Sequence, residues 1–324
     1  MHFAAIQDRW SLPTGQSWPE VAGVAVDSRD RLFVFNRGDH PVIIFDRDGN
    51  FLSSWGEGMF VRPHGITIGP DDTVYCTDDK DHTVRKFTPD GRLLMTLGTS
   101  GQPSNTGATN MDYRTIQRAG PPFHYPTNLA LAADGTIFIS DGYGNARVHV
   151  FTPDGRLLRS WGEPGNGPGQ FHLPHGIAVD HGGTVYVADR ENSRIQLFTS
   201  HGKYVASWTD VVRPCQVFIW KEQRIYVAEL GFRAGLWSGM PAPDADTVGG
   251  RVSVFDCDGK LLSRWGGGRN SCAAGDFFAP HGICVDSQGT IYVGEVTWSA
   301  GGNKGIVPSD CHSLQKFIPD DQAV

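Results

Sequence analysis

Pro63-His64-Gly65-Ile66-Thr67-Ile68 is followed by Thr73-Val74-Tyr75-Cys76-Thr77-Asp78, then by Val84-Arg85-Lys86-Phe87, and the stretch closes with Pro89-Asp90-Gly91-Arg92-Leu93-Leu94-Met95-Thr96-Leu97-Gly98. Each run is alternating, β-branched or aromatic, and Gly, Asp or Pro separates it from the next. That pattern describes four strands of an antiparallel meander. The same order recurs from Pro126, Pro174 and Pro214, ending at Trp161-Gly162, Trp208 and Trp265-Gly266, and degenerate copies begin near Ala22 and Pro280. Asp48-Gly49, Asp90-Gly91, Asp154-Gly155, His201-Gly202 and Asp258-Gly259 occupy the last hairpin of a unit, where the backbone needs αL-tolerant residues.

Four-stranded units cannot each bury both faces alone, but six packed radially can. The sequence therefore predicts an all-β chain, a six-bladed β-propeller of four-stranded antiparallel blades forming one domain over residues 1–324. Ala22, His64, Thr127, His175, Cys215 and His281 are equivalent positions, with a mean step of about 52 residues. The sixth unit stops after Ser313-Leu314-Gln315-Lys316-Phe317 and lacks an outer strand. The stretch from Phe3 to Leu12, with Asp8-Arg9-Trp10 near its end, has the missing character and is expected to close the ring, removing two open edges.

Composition narrows the function. Of 324 residues, 28 are Lys or Arg and 35 are Asp or Glu, a net charge of −7, which disfavours a protein that tracks nucleic-acid phosphates. No apolar run approaches the roughly 20 residues of a membrane span, so no membrane partner is expected. The start, Met1 to Asp8, lacks the basic and apolar regions of a secretory signal. Cys76, Cys215, Cys257, Cys272, Cys284 and Cys311 are scattered and are read as unpaired, which points to a reducing, cytoplasmic setting.

Three insertions break the compact repeat: Thr99–Pro122 between the second and third blades, Phe232–Gly249 within the fifth, and Ser299–Asp310 within the sixth. Connections between blades and connections from second to third strands share one face of a meander ring. All three insertions are therefore expected there, and long loops on a rigid scaffold often carry function.

The position opening the innermost strand is His in the second, fourth and sixth blades. Alternate blades stand about 120° apart, so His64, His175 and His281 should converge on the axis. Three neutral imidazoles with an outer position left open suit a catalytic zinc or another divalent ion. The simpler alternative is a repeat consensus whose His bonds nearby backbone, but a packing consensus has no reason to skip blades. His124 and His172 read as loop or packing groups.

The second strands end in Asn36, Asp78, Asp141, Asp189, Glu229 and Glu295. Such regularity reads as turn and blade-to-blade hydrogen bonding. The residues directly after these termini vary: Arg37 and Arg190 in blades one and four, Gly142-Tyr143 in blade three. Two guanidiniums beside a cation call for an anion between them, and a substrate carboxylate is the natural one. An Arg37–Asp39 ion pair and simple packing of Tyr143 are the alternatives.

From about Val21 to Phe317 the chain resembles the peptidyl-α-hydroxyglycine α-amidating lyase family. The resemblance is carried by Val21-Ala22-Gly23-Val24-Ala25-Val26-Asp27, Arg37-Gly38-Asp39-His40, Ser140-Asp141-Gly142-Tyr143-Gly144-Asn145-Ala146-Arg147 and Ala188-Asp189-Arg190-Glu191-Asn192-Ser193-Arg194-Ile195-Gln196. It implies a six-bladed propeller, zinc on His64, His175 and His281, and catalytic roles for Arg37, Tyr143 and Arg190. The chain departs from the family at Ala279, where members carry a methionine. It departs again at Gly282, where an aspartate would join the Val24 and Ile66 carbonyls around a structural calcium. Gly144, Tyr186 and Leu197 replace the disulfide cysteines of secreted members.

The activity this implies is zinc-dependent cleavage of the N–C bond of an α-hydroxyglycine, releasing an amide and glyoxylate from a small-molecule carboxylate substrate. Arg37 and Arg190 would hold the carboxylate and Tyr143 would be the base. Two other classes stay open: a non-catalytic NHL-repeat propeller that binds a protein or small ligand, and a metal-dependent lactonase-type hydrolase. Lactonase-type sites generally place Glu, Asn and Asp at the axis, which a histidine triad fits poorly.

Overall fold

The computed structural model describes residues 3–6, 10–221, 223–234 and 247–319. Within them are six four-stranded antiparallel sheets. Their first strands, Val21–Val26, Pro63–Ile68, Pro126–Leu131, Pro174–Val179, Pro214–Trp220 and Pro280–Val285, lie against one another around the ring. The sixth sheet takes its outermost strand, β1, from Phe3–Ile6, which pairs antiparallel with Leu314–Pro319. This is the six-bladed β-propeller closed by its N-terminal strand that the repeats predict. Asp8 and Arg9 of the proposed closing stretch lie outside the described residues.

Alternation explains why the sheets stack. Phe33, Phe35, Val42 and Ile44 of the first blade meet Ile66, Val74, Cys76 and Phe87 of the second in one buried cluster. Comparable clusters fill the other five interfaces, so every blade face is covered by its neighbour. Each such large side chain contributes about 1.5–3 kcal/mol on burial. At the closure, Phe3 stacks on Trp265 of the fifth blade with ring centroids 4.7 Å apart.

The six blades share one register: Val21, Pro63, Pro126, Pro174, Pro214 and Pro280 stand opposite Asn36, Asp78, Asp141, Asp189, Glu229 and Glu295. These second-strand termini are fully buried and bond within their own blades. Asp78, for example, accepts from Val61 N and Arg62 N, and Glu295 from Phe278 N and Ala279 N. In blades two to six they anchor the chain entering the blade, and Asn36 instead holds the turn after its own strand. They thus serve turns and blade entry rather than the blade-to-blade bonding that the repeat suggested.

The cysteine expectation is corrected. Cys272 and Cys311 form a disulfide, while Cys76, Cys215, Cys257 and Cys284 are free. The two partners sit in loops 39 residues apart, one entering the sixth blade and one directly after its insertion. Cysteine usage therefore no longer points to a reducing compartment. Residues 235–246 of the fifth-blade insertion lie outside the described residues; the sixth-blade insertion holds short helical turns at Thr297–Ala300 and Gly302–Lys304.

Candidate metal centre

The axial histidines sit on backbone irregularities that the sequence did not reveal. In every blade the pairing slips just after the first strand begins, between Pro63 and Gly65 or Pro280 and Gly282, for instance. His64 and His281 are thus the extra residues of β-bulges, and the fourth-blade slip between Pro174 and Ile177 includes His175. A bulge re-aims a side chain out of the regular pleat, here toward the hub.

The three rings form a near-equilateral triangle, each pair of centroids 4.7 Å apart. One ligand nitrogen from each lies within 4.8 Å of the other two, and all three side chains are buried. His64 Nδ1 donates to Thr127 O at 2.7 Å, His175 Nδ1 to Cys215 O at 2.9 Å and His281 Nδ1 to Ala22 O at 2.6 Å. A carbonyl can only accept, so each ring carries its proton on Nδ1 and turns an Nε2 lone pair to the axis.

Each carbonyl comes from the non-histidine position of the next blade, which gives the alternation its physical meaning. The glycine after each histidine permits the approach. A Cβ on Gly65 would stand 2.6 Å from Thr127 O, and one on Gly176 would collide with Cys215 O.

Burial, and then neighbouring histidines and arginines at His64 and His175 and arginines at His281, hold the three imidazoles well below their usual pKa and therefore neutral. The Tyr143 hydroxyl lies 3.3 Å from His64 Nε2 and 3.2 Å from His175 Nε2. Its single proton cannot serve both lone pairs, and His281 Nε2 has no hydrogen-bond partner among the described residues. Three converging lone pairs with one proton between them fit a divalent cation, with Tyr143 at the open side.

The calcium ligands implied by the resemblance do not assemble. Gly282 packs against Gly23, where an added Cβ would stand 2.9 Å from Gly23 Cα, and it brings no carboxylate. Among the described residues, the three histidines are the one group of metal-ligating side chains found.

Arg37, Tyr143 and Arg190 all reach one cavity of about 220 Å³, which His281 also lines. Arg37 does not pair with Asp39. Its Nη1 donates to Glu20 Oε1 at 2.6 Å and to Ser299 Oγ at 3.2 Å, and its Nε to Pro63 O at 3.0 Å. Arg190 is buried; its Nη1 donates to the Tyr143 hydroxyl at 3.2 Å and its Nε to Glu191 at 2.8 Å. Burial opposes the guanidinium charge, but Tyr143 and Glu191 raise the Arg190 pKa further. Against burial, Arg190 and Arg213 pull the Glu191 carboxyl down to about 2.

Sequence reasoning missed Arg62, Arg213, Asp79, Glu20 and Glu191. Arg62 and Arg213 line the cavity and fill one column of the repeat, two residues before the axial position, where Glu20, Tyr125, Leu173 and Ala279 stand in other blades. Asp79 shares the column of Arg37 and Arg190, directly after the second strand. It is fully buried; Oδ2 accepts from Arg62 Nη1 at 2.6 Å and lies 4.0 Å from His64 Nε2, while Oδ1 has no partner among the described residues. Burial raises its carboxyl to about 6 in spite of Arg62.

Fold and site together define a propeller with an axial three-histidine centre. A family model for the NHL repeat matches residues 171–198. NHL repeat-containing protein 3 of Homo sapiens is 31% identical over 91% of this chain and 78% of its own length. Peptidylglycine alpha-amidating monooxygenase of Rattus norvegicus is also 31% identical, over 85% of this chain. Peptidyl-alpha-hydroxyglycine alpha-amidating lyase 1 of Drosophila melanogaster is 34% identical over 47% of this chain and 28% of its own length. The chain spans about 29% of the rat relative's length. A streptogramin B lyase structure superposes with a TM-score of 0.59 over 98% of this chain and 97% of its own, at 14% identity, a likeness of fold alone. The chain belongs to the NHL-repeat propeller family that includes the peptidyl-α-hydroxyglycine α-amidating lyases.

Proposed function

We propose that this chain is a zinc-dependent lyase that splits the N–C bond of a small α-hydroxyglycine into an amide and glyoxylate. One observation carries the reading: Tyr143 Oη lies 3.2–3.3 Å from two Nε2 atoms of a converging histidine triad. A divalent ion, when bound there, acidifies an oxygen that it holds. Zinc suits an all-imidazole set, with another divalent metal as the alternative.

Tyr143 is the group placed to take the proton of the substrate hydroxyl. Arg190 Nη1 fixes the phenol oxygen, while Glu191, itself held by Arg213, holds Arg190 in turn. Arg190 is thus engaged with Tyr143, leaving Arg37 as the principal carboxylate holder. Glu20, Ser299 and the Pro63 carbonyl fix two of the Arg37 nitrogens, and its Nη2 has no bond to a described residue. A guanidinium held in this way presents a pre-aimed donor to a carboxylate. As the hydroxyl oxygen becomes a carbonyl, the N–C pair goes to nitrogen, which gains one proton while the hydroxyl loses one. The reaction is proton-neutral, and the cavity volume suits a small substrate.

Zinc-loaded protein should release glyoxylate from α-hydroxyhippurate; absence of release at full metal occupancy contradicts the reading. The alternative is an NHL-repeat propeller that binds a protein or small ligand without turnover, and the same assay separates the two.

A further inference from the structure

The residues that follow the six axial positions form a second layer of the hub: Gly23, Gly65, Asn128, Gly176, Gln216 and Gly282. Two of the six carry a polar side chain, and these two meet: Asn128 Nδ2 donates to Gln216 Oε1. The orientation of the Asn128 amide follows from its other end. Its Oδ1 accepts from Leu129 N at 2.8 Å, which leaves Nδ2 to face Gln216. Gln216 Nε2 donates in turn to Val217 O at 3.3 Å. The bond runs from blade three to blade five, past Gly176 of blade four, where a Cβ would stand 3.1 Å from Gln216 Oε1. Gly65 makes room at the other end, with an added Cβ 2.9 Å from Asn128 Oδ1.

The position of this clasp ties it to the histidines. Asn128 directly follows Thr127, and Gln216 directly follows Cys215. The carbonyls of Thr127 and Cys215 are the acceptors that orient His64 and His175. A bond between the next two side chains therefore fixes how far apart those carbonyls stand, and through them the two imidazoles. The third carbonyl, Ala22 O, is held differently: Gly23 after it packs on Gly282, whose added Cβ would stand 2.9 Å from Gly23 Cα.

The same layer is where the resemblance places calcium. Here no residue of the layer is acidic, and both amide oxygens already accept a hydrogen bond. Gln216 also lines an axial cavity of about 480 Å³ with aliphatic walls, Ile66, Leu129, Ile177 and Ile283 among them. Asp180, past the end of the strand Pro174–Val179, is the single acid among the described residues lining it. Calcium takes about 6–8 oxygen ligands and draws on carboxylates for charge, which this layer does not supply.

We infer that Asn128 and Gln216 are positioning residues of the metal centre. Their amide clasp spaces the carbonyls behind His64 and His175 and braces the hub where the resemblance would put calcium. The inference rests on a divalent ion at the three histidines and not on the lyase reaction.

The test measures the zinc affinity of the full-length protein by competition with a chromophoric chelator, with and without calcium. Wild-type protein should bind no calcium in equilibrium dialysis, and its zinc affinity should be the same in both buffers. Asn128→Ala and Gln216→Ala should each weaken zinc binding about tenfold, the low end for groups that orient metal ligands. The double variant should lose no more than either single one, because one missing amide already opens the clasp. Gln216→Met keeps the length without the acceptor and should match Gln216→Ala. Calcium bound by the wild type, wild-type zinc affinity in the folded variants, or losses that add in the double variant overturn the inference. Should the alanine variants fail to fold, Gln216→Met decides alone.

Urea unfolding of the metal-free proteins reads the clasp without zinc. The midpoint of the double variant should fall by less than the two single shifts together, and additive shifts overturn the clasp. A wild type that binds no zinc removes the metal reading, and this comparison then decides whether the clasp braces the hub. Absence of glyoxylate release at full zinc occupancy removes the lyase and leaves the clasp standing.

Discussion

His175 Nδ1 donates to the Cys215 carbonyl 2.9 Å away, and Gly176, next in sequence, lies so close to the same oxygen that no Cβ fits between them. The hydrogen bond fixes the tautomer, and the glycine fixes the distance at which it forms. Gly176→Ala should therefore disturb the metal centre from outside it. The expected result is a loss of about 1–3 kcal/mol in stability and lower zinc occupancy. Gly282→Ala should do less, because its nearest backbone atom stands 2.9 Å from the added Cβ. Urea melts and metal analysis of the two variants check the order.

Tyr143→Phe removes the hydroxyl shared by His64, His175 and Arg190 and keeps the ring. It should retain its zinc while kcat falls about 10²- to 10⁴-fold, the usual contribution of a general acid or base. Arg37→Ala should also keep zinc, with kcat/KM falling and KM rising as the carboxylate loses its holder. Steady-state glyoxylate release and metal content, measured on the same samples, decide both.

Metal-free protein should lose stability as pH falls through 6.5. His64, His175 and His281 have folded pKa values well below that figure, so the unfolded chain binds protons that the folded chain refuses. The stabilisation is complete above the unfolded pKa and declines below it, by about 1.4 kcal/mol per pH unit for each histidine. His82, His124 and His172 are shifted the same way by burial and add to the slope. Below about 6 the raised carboxyls of Asp79 and Asp189 work against it, since there the folded state is the one taking up protons. His175→Asn should make the slope between pH 7.5 and 6 shallower by up to one proton. Urea midpoints read against pH give that difference.

The Cys272–Cys311 disulfide closes a loop of 39 residues. Its removal by Cys272→Ser should cost at most about 4 kcal/mol on chain-entropy grounds. Denatured protein alkylated without reductant should carry four labels, matching the four free cysteines, and six after reduction. Six labels from the outset would show that the bond is absent.

The fold was legible because six copies of one strand pattern fit a single solution. Histidine in every second copy located the centre as well. Less visible was why histidine alternates: the carbonyls of Ala22, Thr127 and Cys215 lock the rings, and a backbone group leaves no trace in the identity of its side chain. Arg62 and Arg213 were readable in principle, since aligning the copies puts both two residues before the axial position, but the other four copies place Glu, Tyr, Leu and Ala there, so the column has no pattern of its own. Glu191 as a bridge between Arg190 and Arg213 depends on two consecutive blades, so no single copy contains it. The disulfide joins loops that do not repeat, and a signal built on repetition is silent about them.

One divalent ion shared by imidazoles from blades two, four and six is the claim on which the proposed chemistry depends. Metal analysis of protein incubated with zinc and then desalted tests it most directly, with His175→Ala carried alongside. About one zinc per chain is expected in the wild type and far less in the variant. Wild-type protein without bound metal, or a variant that binds as much as the wild type, contradicts it.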